Sequence, residues 1–298
     1  MAGACVGLEV AQTIGKEILV SELIPPHLEY VPVIAGLAAV IVWGTIATYR
    51  GLPVSITHSF IAGLATAGIA LSGSGAVIWG WGSRLVQTLE AVVTAPILGF
   101  IGGFMVMVTL FWIFRQSAPT RMRVIFSRLQ WLTTAFLAYS HGKNDGQMPI
   151  GVIAMALVIY YQQIGQSGQA AVVWDEVAIG GNLWWVIVIP ALAISSGTAI
   201  GGWRVIRTLG LRVTALRPVH GFASNFSAAT VIWIASRLGI PVSTTHCASS
   251  AVMGVGATRR LSAVRWGVAG NIVAAWILTF PICGGLGYLF AWLLSPIF

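Results

Sequence analysis

Long apolar runs dominate the chain, and charged side chains are concentrated in short stretches between them. A helix needs about 20 residues to cross the hydrocarbon core of a bilayer. Six of the uncharged runs that approach or exceed this length are candidate membrane spans: 31–49, 91–114, 146–174, 177–203, 238–258 and 266–298. The pattern therefore predicts an all-α, polytopic membrane protein.

The composition agrees with this prediction. Of the 298 residues, 57% are hydrophobic and 8% are charged, whereas about a quarter of the residues in a soluble domain are charged. This balance excludes a soluble enzyme, a coiled coil and a disordered scaffold. A lipid bilayer is the expected environment of the chain.

The net charge of +8 comes mainly from arginines, most of which fall in three clusters: Arg115, Arg121, Arg123 and Arg128; Arg204, Arg207, Arg212 and Arg217; Arg259, Arg260 and Arg265. Such clusters are typical of cytoplasmic loops, which carry an excess of Lys and Arg. We therefore expect no nucleic-acid partner. Carboxylates are scarce, and none occurs after Glu176. A protein with few negative charges is compatible with an anionic substrate.

The chain contains an internal repeat. Gly-Leu-Pro-Val-Ser-Ile-Thr-His at 51–58 recurs as Gly-Ile-Pro-Val-Ser-Thr-Thr-His at 239–246. Each copy follows a helix-like apolar run and precedes a stretch rich in small residues. A Pro-interrupted segment at corresponding positions of two halves is typical of a transporter built from repeats, with its site where the broken helices meet.

The repeated segment has the chemistry of an anion site. Proline stops a helix, and Ser or Thr caps the next one. The N-terminus of that helix offers free N–H groups and a positive dipole end, which attract an anion. The alternative is a kinked helix whose hydroxyls bond to its own backbone. We expect His58 and His246 to fix the segments by hydrogen bonds rather than to contact a substrate.

A second polar segment, Ser-His-Gly-Lys-Asn-Asp-Gly-Gln-Met-Pro at 140–149, lies between apolar flanks. Each flank of about a dozen residues is too short to span a bilayer alone, so the two predict one helix that is broken in the middle. Asp145, the amide oxygens of Asn144 and Gln147, and unwound carbonyls would suit Na⁺ or a proton. The alternatives are a polar loop and a catalytic or di-metal pair of His141 and Asp145.

These segments together resemble the inorganic phosphate transporter family. The resemblance is carried by residues 140–147, the paired Pro-Val-Ser-x-Thr-His segments, Gly-Gly-Trp-Arg-Val-Ile-Arg-Thr-Leu-Gly at 201–210 and His-Gly-Phe-Ala-Ser at 220–224. It covers essentially the whole chain, in order. The resemblance implies an inverted-repeat transporter with discontinuous helices and two re-entrant hairpins. It implies phosphate as substrate, alone or as a metal–phosphate complex, and Na⁺ or H⁺ as coupling ion, with no other cofactor.

The resemblance also implies roles for individual residues. Phosphate would be held by Ser55, Thr57, Ser243, Thr244, Thr245 and Asn144. The coupling cation would be bound by Asp145, Asn144 and Gln147, with Asp145 as the ligand of Na⁺. The expected location is a prokaryotic plasma (inner) membrane, and the oligomeric state stays open between a monomer and a homodimer.

The sequence departs from the family pattern in three places. The Asn-Asp motif occurs once where the family has two, so we expect the first helix and its half of the site to be missing. Residues 2–20 are then the family's second helix, and an open cavity is expected beside Ser55 and Thr57. Met148 stands where a polar residue is usual, and Asn225 stands where a Glu is common.

We therefore predict a cation-coupled phosphate symporter that works by alternating access, and not an enzyme. Its first repeat would cover 1–114 with a hairpin near 51–75, and a short basic cytoplasmic linker would cover 115–130. The second repeat would cover 131–298, with a broken helix near 131–161 and a hairpin near 239–258. The alternatives are a permease for sulfate or another oxyanion, and a truncated, non-transporting fragment of a phosphate permease.

Overall fold

The computed structural model describes residues 2–179 and 181–298. Met1 and Gly180, which belong to the predicted first and second repeats, lie outside the described residues. The described chain is helical, and its extended pairing is a single bridge between Leu19 and Val77. The prediction of an all-α fold is therefore confirmed.

Twelve α-helices follow one another in the described residues: α1 (Glu9–Lys16), α2 (Tyr30–Arg50), α3 (Ile56–Ser72), α4 (Arg84–Ile113), α5 (Pro119–Asp145), α6 (Gln147–Gln163), α7 (Ser167–Ile179), α8 (Trp185–Ile200), α9 (Trp203–Arg207), α10 (Pro218–Arg237), α11 (Thr244–Ala257) and α12 (Trp266–Leu294). Short 3₁₀ turns lie at Ala2–Cys5, Ser21–Leu23, Pro26–Leu28, Ser74–Ala76 and Leu261–Ala263, and a π-helical turn lies at Thr208–Arg212.

Three helical segments of the described chain are long and apolar enough to cross a membrane: Pro26–Arg50, Arg84–Ile113 and Trp266–Leu294. They correspond to the predicted runs 31–49, 91–114 and 266–298. A fourth span is Trp185–Ile200 together with Trp203–Arg212, if this pair, bent by 57°, is counted as one segment.

Three of the six predicted runs are not single spans. Run 177–203 holds the end of α7, all of α8 and the start of α9. Run 146–174 is divided between α6 and α7 by a turn at Gly165, whose φ of +75° ends the helix. Run 238–258 holds α11, which has 14 residues and is too short to cross alone. This short helix is what the hairpin prediction requires.

The two faces of the helical bundle differ in charge. Helices α2 and α4 end at one face, where α5, α10 and α12 begin. This face carries twelve of the fourteen arginines: Arg50, Arg115, Arg121, Arg123, Arg128, Arg204, Arg207, Arg212, Arg217, Arg259, Arg260 and Arg265. We call it the basic face. Arg84 and Arg237 lie at the opposite face, where α4 begins and α10 ends.

The hairpin helices α3 and α11 enter the bundle from opposite faces. Helix α3 begins six residues after Arg50 of the basic face, whereas α11 begins seven residues after Arg237 and ends at Ala257 beside the basic face. Helix α3 packs against α2 and α12, and α11 packs against α10 and α4. Each hairpin helix thus packs on its own preceding helix and on the helix that follows the other hairpin, as an inverted repeat requires.

Glycines allow these helices to approach closely. A Cβ atom at Gly287 of α12 would collide with the backbone of Gly63 in α3. A Cβ atom at Gly254 of α11 would collide with the carbonyl of Phe100 in α4. Small residues at helix interfaces permit close backbone contact inside a membrane, where hydrophobic exclusion does not drive helix association.

The N-terminal residues differ from the helix-like stretch predicted for 2–20. A 3₁₀ turn at Ala2–Cys5 and α1 are separated at Gly7, whose φ of +76° is incompatible with a continuous right-handed helix. This segment packs against α5 and α6. Helix α5 begins at Pro119, inside the predicted linker 115–130, so most of the linker is helical. The domain boundaries themselves stay predictions.

Candidate functional site

The first hairpin begins at a sharp turn after α2. Gly51 adopts a φ of +71° and ends α2, and Pro53 follows. The Ser55 hydroxyl then caps α3, because its Oγ accepts a hydrogen bond from the backbone N–H of His58 at 3.2 Å. Proline and the cap together stop one helix and start the next inside the bundle.

The second hairpin repeats this local structure. Gly239 adopts a φ of +70°, and Pro241 follows after one residue. The Oγ of Ser243 accepts a hydrogen bond from the N–H of His246 at 3.2 Å and caps α11. The two segments identified by their repeated sequence therefore have the same turn, the same cap and the same helix start.

The two hairpins meet at their helix N-termini. The Oγ1 of Thr245 donates to the carbonyl of Val54 at 3.2 Å, which joins the start of α11 to the residue before the Ser55 cap. Thr245 and Ser243 also share a hydrogen bond of 2.9 Å. The rings of His58 and His246 pack edge to face, with centroids 5.3 Å apart. Two positive helix ends thus converge on one place.

The junction of α5 and α6 lies against the second hairpin. The side-chain amide of Asn144 donates to the carbonyl of Val242 at 2.6 Å and accepts from its N–H at 3.2 Å. Asp145 follows directly and accepts from the Thr244 hydroxyl at 2.8 Å. The structure therefore brings Asn144 and Asp145 to the N-terminus of α11, as the sequence predicts for a shared site.

Asp145 is surrounded by hydrogen-bond donors. Its Oδ1 accepts from Asn144 at 2.6 Å, and its Oδ2 accepts from Thr244 at 2.8 Å. Nε2 of His141 also lies 2.8 Å from Oδ2. No group of three or more His, Cys, Asp or Glu side chains that suits a metal ion occurs in residues 2–179 and 181–298. A metal at Asp145 would therefore depend on neutral oxygen ligands.

The sequence predicts an unwound segment between α5 and α6, but the break in the structure is shorter. It is confined to Gly146, whose φ of −68° and ψ of −25° remain helical. Pro149 lies in the first turn of α6 and has no N–H to donate to the carbonyl of Asp145. The interruption therefore leaves one helical hydrogen bond unmade beside the Asp145 side chain.

Gln147 and Lys143 bind the N-terminal segment rather than Asp145. The Gln147 amide donates to the carbonyl of Gly7 at 2.9 Å and accepts from the N–H of Val10 at 2.9 Å. The Lys143 ammonium lies 3.1 Å from the Glu9 carboxylate. Sequence reasoning missed these contacts, because nothing in the local pattern shows which distant segment faces the junction.

Ser55 and Thr57 do not themselves line the open cavity that was predicted beside them. Their side chains are 4% and 2% exposed. Helix α12 covers this end of α3, because Nε1 of Trp276 donates to the carbonyl of Pro53 at 3.1 Å and Phe280 lies beside His58. The prediction was wrong for Ser55 and Thr57 because it did not anticipate the packing of α12 across the first hairpin.

Several buried polar atoms near the hairpins have no hydrogen-bond partner within the described parts of the chain. They include the hydroxyls of Thr57 and Ser140 and both ring nitrogens of His58. The prediction that a side-chain hydrogen bond of His58 fixes the first hairpin is therefore wrong. His246 stacks on Trp276 with ring centroids 4.1 Å apart. Buried unpaired polar groups are costly and often mark a ligand site.

The fold and this site define an integral membrane protein with two facing re-entrant hairpins, which is the architecture of inverted-repeat secondary transporters. The profile of the phosphate transporter family matches residues 1–287. The chain therefore belongs to the phosphate transporter family, as its motifs predicted. It is a transport protein and not an enzyme.

Individual relatives agree with this family. A probable low-affinity inorganic phosphate transporter from Rhizobium meliloti is 36% identical over 275 residues, covering 92% of this chain and 76% of the relative. The protein of the same description from Bacillus subtilis is 35% identical over 298 residues, covering 99% and 84%. A putative phosphate permease from Pyrococcus horikoshii is 30% identical over 346 residues, covering 93% and 82%.

A solved structure described as the sodium-dependent phosphate transporter is also similar. Its TM-score is 0.81 at 26% sequence identity, and the match covers 100% of this chain and 88% of that chain. The bacterial sources of the first two relatives agree with the predicted prokaryotic plasma (inner) membrane.

Proposed function

We propose that this protein carries inorganic phosphate across the membrane by cation-coupled symport, with phosphate bound between the two hairpins. The family and the descriptions of its relatives support phosphate as the substrate. The description of the similar solved structure as sodium-dependent supports a coupling cation.

One observation carries the proposal: the N-termini of α3 and α11 come from opposite faces and meet where Thr245 bonds to Val54. Each N-terminus contributes unpaired N–H groups and a positive dipole end, which suit an oxyanion. The proposed phosphate contacts are Ser55, Thr57, Ser243, Thr244, Thr245 and Asn144. Thr57 is the clearest candidate, since its buried hydroxyl has no partner among the described residues.

The proposed coupling site is Asp145 with Asn144 and Gln147. A carboxylate at membrane depth is costly and is by default a functional group. Asp145 reaches the α11 N-terminus through Thr244, so a cation there would offset the phosphate charge at short range. Asn144 lies against Asp145, whereas Gln147 is bonded to the N-terminal segment. A role in binding the coupling cation is therefore better supported for Asn144 than for Gln147.

The proposed mechanism is alternating access. Helix α3 contacts both α2 and α12, and α11 contacts both α10 and α4, so each hairpin is shared between the halves. Rocking of one half against the other would open the shared site to one face at a time.

Uptake of radiolabelled phosphate into proteoliposomes tests this function. We expect accumulation when an inward Na⁺ gradient or an inward proton gradient is imposed, and the effective gradient identifies the coupling ion. Unlabelled phosphate should compete and sulfate should not, since a partly protonated phosphate donates a hydrogen bond and sulfate cannot. A chelator of divalent metals tests whether a metal–phosphate complex is carried. Transport of sulfate in place of phosphate, or uptake without any gradient, would contradict the proposal.

A further inference from the structure

A cavity of about 540 Å³ lies beside the start of the first hairpin helix, and Ile56 forms part of its lining. The last two turns of α2 and the start of α9 form its walls. Its lining includes Thr45, Thr48, Tyr49, Trp203 and Arg204. Its volume is that of a small-molecule site, and no role in the proposed transport step uses these residues.

The cavity lies at the membrane–water boundary of the basic face. Helix α2 is a membrane span that ends at Arg50, so its last two turns are at the level of the lipid head groups. Tyr49 and Trp203 are 71% and 69% exposed. Exposed Tyr and Trp at this depth are typical of the aromatic belts that contact head groups.

The surroundings of the cavity are positively charged and contain no carboxylate. Arg50, Arg204 and Arg207 belong to the adjoining helix ends, and the sequence has no Asp or Glu between Glu29 and Glu90 or after Glu176. The ion pairs within the described residues use other basic groups. Within the described residues these arginines therefore lack a protein counter-charge, which leaves them available to an anion.

Arg204 is held in position to bind such an anion. Its guanidinium lies 4.2 Å from the centre of the Tyr49 ring, and Nη1 donates to the Tyr49 carbonyl. A guanidinium has five N–H donors in a planar fork, so donors remain for a phosphate group. Gly202 adopts a φ of +84° and turns the chain so that α9 reaches α2.

We infer that this cavity binds the head group of an anionic phospholipid, with Arg204 on the phosphate and Tyr49 and Trp203 around it. A lipid is favoured over free phosphate because the lining also includes Gly44 and Ile56, and Ile56 is 42% exposed. This apolar wall suits the glycerol and first acyl carbons of a lipid. Basic pockets between membrane helices at the cytoplasmic side have this chemistry.

The site adjoins the first hairpin. A Cβ atom at Gly51 would lie 3.3 Å from the Arg204 carbonyl and 3.3 Å from Oγ1 of Thr208. A lipid that fixes Arg204 against Tyr49 would therefore also hold the turn that leads to the Ser55 cap. The inference itself does not depend on which substrate the hairpins bind.

The test is native mass spectrometry of the purified full chain titrated with phosphatidylglycerol or phosphatidylcholine in detergent. We expect the wild type to retain phosphatidylglycerol preferentially, and Arg204→Gln to weaken its affinity about tenfold through loss of a charge-assisted bond. Arg260→Gln is the matched control: it removes the same charge from the same face at an exposed arginine outside the cavity, and its affinity should stay near that of the wild type.

If Arg204→Gln does not fold, Arg204→Lys replaces it in the test. Lysine keeps the positive charge but lacks the planar guanidinium, so this variant should retain phosphatidylglycerol better than Arg204→Gln and less well than the wild type. Equal retention of both lipids by the wild type would overturn the inference. An equal loss of phosphatidylglycerol affinity in Arg204→Gln and Arg260→Gln would also overturn the inference, since the loss would then come from the overall charge of the protein. Displacement of the lipid by excess inorganic phosphate would show that the free anion, not a lipid, is the ligand.

Discussion

Asn144 and Val242 are joined by two hydrogen bonds across 98 residues of sequence. The Asn144 amide donates to the Val242 carbonyl at 2.6 Å and accepts from the Val242 N–H at 3.2 Å, in the manner of a strand partner. Val242 immediately precedes the Ser243 cap. These two hydrogen bonds, which we call the Val242 clamp, join the α5–α6 junction to the second hairpin and position Asp145 beside it.

Asn144→Ala should destabilise the protein, because it leaves the buried N–H and carbonyl of Val242 unpaired. We expect a loss of about 1–3 kcal/mol per unsatisfied group, measured as a lower unfolding temperature in detergent. Asn225→Ala is the control, since the Asn225 amide bonds to Thr134 at an exposed position. Equal stability of the two variants would show that the Val242 clamp contributes nothing.

Asp145→Asn should remove the coupling of uptake to a cation. The change keeps the shape and deletes the only carboxylate between Glu90 and Asp175. Phosphate accumulation should no longer respond to the Na⁺ or proton gradient that drives the wild type, as measured in proteoliposomes. Asp175→Asn, at an exposed carboxylate, is the matched control. An unchanged gradient dependence in Asp145→Asn would place the coupling site elsewhere.

Two glycines of α12 test the contact between α12 and the first hairpin helix. Gly287→Ala would force a methyl group into the backbone of Gly63, whereas Gly285 has open space around it. We expect Gly287→Ala to cost about 1–3 kcal/mol through overpacking. Gly285→Ala should be neutral or stabilising by up to about 1 kcal/mol, since Ala favours the helix. The measurement is the thermal unfolding temperature of both variants. A Gly287→Ala variant as stable as the wild type would contradict the described packing.

The hairpins could be predicted from the sequence because their signals are local. Proline, a capping Ser and an αL glycine lie within eight residues of one another, and each acts on its immediate backbone. The same holds for the polar junction at Asn144 and Asp145, where a charged group interrupts an apolar helix. These features were located correctly from spacing and residue type.

The packing around the hairpins could not be predicted in the same way. The Trp276 contact with Pro53 joins residues 223 apart, and the binding of Gln147 to Val10 joins residues 137 apart. Such contacts depend on how whole helices cross, which hydrophobic periodicity does not specify in segments that are apolar on all sides. This is why the closure over Ser55 and Thr57 was missed.

The most direct test of the shared phosphate site is equilibrium binding of phosphate to purified Thr57→Val, Thr245→Val and the double variant. Valine keeps the shape of each side chain, and the Thr57 hydroxyl has no partner among the described residues, so Thr57→Val should unfold at or above the wild-type temperature. Thr198→Val, at an exposed helical position, controls for the substitution itself.

The account predicts that each hairpin variant loses about 1.5–3 kcal/mol of phosphate affinity, which is the range for a hydrogen bond to a charged group, while Thr198→Val binds as the wild type does. Loss from both Thr57 and Thr245 would show that one anion is bound by two hairpins. Wild-type affinity in the folded double variant would contradict the account.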